Sequence, residues 1–278
     1  MKRILFITAL FISIVSYSQR NGTAQEQIEA GKVLLSNEDP CNYTGILWIK
    51  SALKQEPNNI EANNLIKKCD NYKLNVEAKQ LFKEVKYDLD NNYSSNILSK
   101  IKKIVKIDSL NEEALFLYGK LKTQKGFLNE GLKYLTKAIE LNPKQPKYYW
   151  FRSQAEANKG LRNHELELGT EKAITDIDIM ISLDAKSVKI FNRKAFLYQN
   201  LAEYYARKYE YFRPKVSEGW EDDGSQEADK KELFNKAIEN YELAELNYKK
   251  ALEISPEDAK IKSSIKSILI NVNKLKTL

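Results

Sequence analysis

The chain has 278 residues, enough for a substantial core. Charged residues make up 30% of it, against only ten glycines and six prolines, a balance that favours helix and argues against disorder. The formal charge of +7 comes mainly from lysine, with arginine only at 3, 20, 152, 162, 193, 207 and 213. So few bidentate phosphate readers, with acidic residues interleaved among the lysines, argue against dedicated nucleic-acid recognition.

The N-terminus reads MKRILFITALFISIVSYSQ. Lys2 and Arg3 precede an apolar run over 4–15 that is too short to span a bilayer, and the small Ser16 and Ser18 stand before Gln19. This predicts a secretory signal peptide over residues 1–18. Its removal lowers the formal charge from +7 to +5. No cysteine follows the run, as a lipoprotein signal would need, and no later stretch reads as transmembrane. The expected mature protein, residues 19–278, is therefore exported, either periplasmic or secreted. In an oxidising compartment the two cysteines matter. Cys41 opens one predicted helix and Cys69 lies along the next, antiparallel to it. That arrangement leaves a Cys41–Cys69 disulfide and two free thiols both open. Asn21, Asn42 and Asn92 begin N-x-[ST] sequons, relevant only in a eukaryotic secretory pathway.

Two amphipathic helices are expected over 25–35 and 44–55, and Asn58-Asn59 then caps a third from Ile60. Its apolar face runs through Leu65, Ile66, Cys69, Tyr72, Val76, Leu81, Phe82 and Val85 and stops near Asp90-Asn91-Asn92. Residues 111–143 carry the clearest pattern. Leu115, Tyr118 and Gly119 lie on one helix, Gly131, Leu135 and Ala138 on a second, and Lys125-Gly126-Phe127 separates them. Pro143 ends the second helix. The spacing of Gly131, Leu135, Ala138 and Pro143 recurs as Gly45, Ile49, Ala52 and Pro57, and as Ile97, Ile101, Ile104 and Ser109. It recurs again as Ala173, Ile177, Met180 and Ala185, and as Ala244, Tyr248, Ala251 and Pro256. In the fourth unit Pro146 suits a helix's first turn, and Lys159-Gly160 is expected to close that helix, with extra residues over 161–168. The last helix, 259–275, is expected to cover the end of the array.

These spacings resemble the tetratricopeptide repeat, whose signature is W-x2-L-G-x2-Y, then A-x3-F, then P. Lys122 departs from it, and Tyr149 stands at the place of the signature Trp in the fourth unit. The resemblance implies an all-α fold: an αα-solenoid of helical hairpins wound as a right-handed superhelix, with a C-terminal capping helix. The units fall at about 26–59, 60–111, 112–145, 146–187 and 188–258, with a cap at 259–275 and an insertion at about 203–240. The unit over 60–111 is 18 residues beyond the 34 of a standard repeat, which calls for an insertion or a very long first helix.

No catalytic constellation is present in the sequence. A single histidine, His164, excludes a His cluster, and neither cysteine has metal-ligand spacing. No P-loop, G-x-G-x-x-G or G-x-S-x-G occurs. Glu221-Asp222-Asp223 lacks the alternating acids and closing Glu of a calcium loop. The reading is of a non-enzyme with no cofactor and no metal. The resemblance implies that first helices line a groove for a protein or peptide partner. Positions i, i+3, i+7 and i+11 select Glu113, Phe116, Lys120 and Gln124 in the third unit, and Lys147, Trp150, Gln154 and Asn158 in the fourth. In the fifth they select Lys189, Asn192, Phe196 and Asn200. Aromatics, amides and lysines together suit an extended peptide bearing carboxylates. The same aromatics could instead be packing between repeats. The second function class is a polyanion or envelope-surface binder using the basic surface. Salt separates the two, because polyanion binding falls steeply as salt rises.

Overall fold

In the computed structural model the described residues are 22–91, 96–212 and 225–277. The signal peptide over 1–18, Trp220 and the acidic turn at 221–223 lie outside them. Among the described residues there are eleven helices and no strand. They form two compact units, one ending at Ser109 and the other beginning at Leu110. No helix among the described residues is long and apolar enough to cross a membrane.

The first unit contains α1 (Ala24–Leu34), α2 (Tyr43–Gln55), α3 (Ile60–Asp90) and α4 (Ile97–Ile107). Polar caps set the starts. Thr23 and Glu26 form a reciprocal capping box at α1. Asn42 and Asn59 accept hydrogen bonds from the backbone N–H groups of Gly45 and Ala62. The α1–α2 hairpin buries Ile28, Ile49 and Ala52, and α3 adds Ala62 with Leu65 and Ile66. Farther along, α3 buries Ala78 and Val85, and α4 buries Ile97, Ile101 and Ile104. Lys100 pairs with both Glu84 and Asp88, tying α4 to α3. The 18 surplus residues of this unit thus lengthen α3 to 31 residues. Cys41 and Cys69 are joined by a disulfide with a Cα separation of 4.9 Å, fastening the loop before α2 to the first third of α3.

The second unit contains α5 (Glu112–Gln124), α6 (Leu128–Leu141), α7 (Pro146–Arg162), α8 (Leu166–Ser182), α9 (Val188–Glu210), α10 (Ser225–Ile254) and α11 (Ala259–Lys276). Each successive pair packs as a hairpin, and α6 also packs on α7 and α8 on α9. Asn111 caps α5 and Ser187 caps α9. The repeat's small positions act by contact. A Cβ on Gly119 would lie 2.9 Å from the Gly131 carbonyl oxygen, so α5 and α6 cross where neither carries a side chain. The second hairpin corrects an expectation. Lys159-Gly160 does not close α7, which continues to Arg162. Gly160 instead faces Gly169 of α8, with a Cβ at either position falling within 2.9 Å of the other's Cα. The extra residues of this unit extend both helices and leave a turn at 163–165, where His164 has φ 60°.

The described part of the expected insertion is helical: 203–210 belongs to α9 and 225–240 to α10. Its aromatics hold the long hairpin together. Tyr205 is buried, and the Tyr209 and Phe234 rings lie 5.5 Å apart. Ala195, Ala202, Tyr241, Ala244, Tyr248 and Ala251 form one core with Ile261 and Ile268 of α11. The Tyr248 hydroxyl donates to Gln199 Oε1 at 3.1 Å.

Candidate functional site

The first helices of the second unit, α5, α7 and α9, carry the twelve residues chosen by spacing. Contacts between neighbouring helices bring several of them together. Lys120 of α5 lies 4.7 Å from the Phe151 ring centroid of α7. Lys147 of α7 reaches back to within 5.4 Å of the Phe116 ring. Lys189 of α9 sits 4.5 Å from the Trp150 ring. Each contact places an ammonium against the electron-rich ring of the adjacent first helix. The result is a strip crossing α5, α7 and α9 in chain order.

Phe116 is not available to a partner. It is 5% exposed, with its ring 4.8 Å from Tyr148 and 5.4 Å from Phe151. A large aromatic at the crossing of two helices gains more from burial than from lining a groove. Phe196, by contrast, is 45% exposed. Gln124, Lys147, Asn158, Lys189 and Asn192 are exposed, and Glu113, Lys120, Trp150, Gln154 and Asn200 are half-buried.

Beneath the strip, Arg152 of α7 grips Asp176 of α8. Its Nε lies 3.0 Å from Oδ2 and its Nη2 2.6 Å from Oδ1. Asp176 is 2% exposed, and burial raises its carboxyl above the ordinary value even with Arg152 beside it. Lys194 of α9 pairs with Asp178 of α8, so α8 anchors both flanking first helices. Tyr148 donates to Glu112 Oε1 at 3.2 Å, and Tyr149 to the Pro143 carbonyl at 3.1 Å.

Sequence spacing misses Arg193. It lies one turn after Lys189 on the same edge of α9, with its guanidinium carbon 5.7 Å from the Phe196 ring. Its Nε is buried without a hydrogen-bond partner among the described residues. Burial alone lowers its hold on its proton. The available signal is the i+4 step from Lys189, which a stripe drawn through i+3 passes over. Phe151 is missed for the same reason, one position beyond Trp150. Among the described residues no group of three or more His, Cys, Asp or Glu side chains could hold a metal ion. Chemically the strip offers cations and amides set among aromatic rings.

The fold is a tetratricopeptide-like array of antiparallel helical hairpins, set by glycine crossings at the signature's small positions and the recurring buried Leu135, Ile177 and Tyr248. No family model matches the chain, and no curated protein sequence matches it. Several solved structures resemble it. MamA is 19% identical over 74% of this chain and 90% of its own, with a TM-score of 0.38. A thermophilic tetratricopeptide protein of Thermus thermophilus is 15% identical over 69% of this chain and 99% of its own, at 0.40. YrrB, described as having an unusual peptide-binding site, is 14% identical over 92% of this chain and 97% of its own, at 0.43.

Proposed function

We propose that the second unit is a non-catalytic scaffold that binds an extended, carboxylate-bearing peptide along the first-helix faces of α5, α7 and α9. The observation that carries this reading is Arg193. A half-buried guanidinium with no counter-charge among the described residues is costly, and an incoming carboxylate would offset that cost with charge-assisted hydrogen bonds. Lys147 and Lys189 flank the same strip, and the half-buried Trp150 supplies an apolar platform. Gln154, Asn158, Asn192 and Asn200 can pair with a peptide backbone. Export to the periplasm or the secreted space is part of the proposal. It is supported by the signal pattern over 1–18 and by the Cys41–Cys69 disulfide, which an oxidising compartment favours.

The test starts from partners captured out of an envelope extract, reduced to synthetic peptides and measured by fluorescence anisotropy. Trp150→Ala and Arg193→Gln should each weaken binding about tenfold or more, the loss of one anchor residue or one desolvated charge contact. Arg193→Gln should not lower the melting temperature, since it removes a desolvated charge from the fold, and binding should survive moderate salt. Variants that bind normally, or that merely melt earlier, would refute the groove.

A further inference from the structure

Among the described residues, helix α11 buries one face and exposes the other. Ile261, Ile268 and Leu275 are buried, and Ile265 and Val272 are half-buried against the α9–α10 hairpin. At helical spacing these five share one side. Lys262, Lys266, Leu269, Ile270 and Asn273, at i, i+4, i+7, i+8 and i+11, share the other. Leu269 is 47% exposed and Ile270 58%. Neither belongs to the core that α11 shares with α9 and α10 among the described residues.

The charge on this helix has one sign. Over Ala259–Lys276 there are five lysines and no acidic residue. Lys262 and Lys274 reach carboxylates on neighbouring segments, Glu257 at 3.1 Å and Glu210 at 2.8 Å, in exposed positions. Lys260, Lys266 and Lys276 have no ion-pair partner among the described residues. Lys276 shares a shallow cleft with Lys230 and Lys231 at the start of α10, where the three lysines outnumber the single carboxylate, Glu227. The helix is therefore amphipathic twice over: an inner apolar face for the core, and an outer face with two aliphatic side chains at the centre of a lysine field.

We propose that the outer face of α11 docks on a bilayer containing anionic phospholipid. Charge complementarity selects the occupant. Lysines at a negative bilayer surface each add attraction, and Leu269 and Ile270 project from a convex helix at the depth where an interfacial helix inserts its apolar side chains. A protein partner would have to bring a groove to fit that ridge, whereas a fluid bilayer needs none. This surface is distinct from the first-helix strip, so either can fail alone.

The test is vesicle co-sedimentation of the purified chain, using phosphatidylcholine alone and phosphatidylcholine with about one-third phosphatidylglycerol, whose negative surface supplies the attraction. The chain should sediment with the mixed vesicles and stay in solution with the neutral ones. Raising salt from ~0.1 M to ~0.5 M, which shortens the screening length to roughly 4 Å, should release it. Ile270→Asp and Lys266→Glu should each lower vesicle affinity about tenfold while leaving peptide binding and melting temperature unchanged; both side chains are exposed, so folding should be unaffected. The proposal is overturned if the unaltered chain ignores the anionic vesicles, if it binds neutral vesicles equally well, or if both variants sediment as it does.

Discussion

Breaking the Cys41–Cys69 bond should loosen the first unit and leave the second intact. The two sulfurs close a loop of 28 residues. Loop-closure entropy for that length comes to about 3.6 kcal/mol at 25 °C, inside the ~2–5 kcal/mol seen when native disulfides are removed. For a unit of this size each kcal/mol moves the melting point by ~4–8 °C, so reduction should lower the first unit's transition by roughly 15–30 °C. Cys41→Ser is the cleaner variant. Cys41 is only half-buried, and it leaves the 3%-exposed Cys69 as a small buried thiol that adds no new polar group. Hydrogen exchange read by mass spectrometry separates the units. With reductant or in the variant, peptides from α1, α2 and the first half of α3 should exchange faster, while peptides from α6 and α8 should not change. Equal acceleration across both units, or none in the first, would refute this reasoning.

Asp176→Asn should cost ~3–5 kcal/mol in denaturant melts, because it leaves the Arg152 charge partly buried without its carboxylate; Arg152→Met with Asp176→Leu should recover most of that. Gly160→Leu should cost ~1–3 kcal/mol, since its Cβ would sit 2.8 Å from the Glu165 carbonyl oxygen and 2.9 Å from Gly169 Cα. Lys159→Ala beside it should change stability by less than ~0.5 kcal/mol. Alkaline pH should unfold the chain through its buried phenols. Burial raises Tyr148, Tyr205 and Tyr241 above 10.0, Tyr241 to about 12. A raised folded value means the folded state holds the proton more tightly. Their contribution is therefore complete below pH 10 and is lost as pH rises through the folded values. Phenolate absorbance should show a late-titrating fraction alongside a falling melting point, and a single transition at the ordinary tyrosine value would contradict it.

The helical pairs are legible because small residues recur at fixed distances, and that spacing is a direct imprint of close helix crossing. Gly119 and Gly131 show it at atomic contact. Gly160 misleads because a glycine late in a helix can mark either an end or a crossing, and only the partner Gly169 decides between them. The long α3 and the α9–α10 hairpin are visible as surplus length, yet nothing local distinguishes a longer helix from an inserted loop. At the candidate site, helix periodicity groups Lys147, Trp150 and Lys189 on the surface they share. It does not tell the buried Phe116 from the exposed Phe196, since exposure depends on what the next hairpin brings against each ring. Arg193 stays hidden because lacking a counter-charge is a property of the surroundings rather than of the sequence.

The unequal lengths of the first helices set an asymmetry along the strip. At 1.5 Å per residue, the 23 residues of α9 outreach the 13 of α5 by about 15 Å. Past Tyr205 that overhang is braced by α10 and α11, through the Tyr209–Phe234 contact and the Lys274–Glu210 pair. A guest chain threading over α5 and α7 would meet this buttress on one side only. The two ends of the proposed strip therefore differ in helix length as well as in side-chain chemistry.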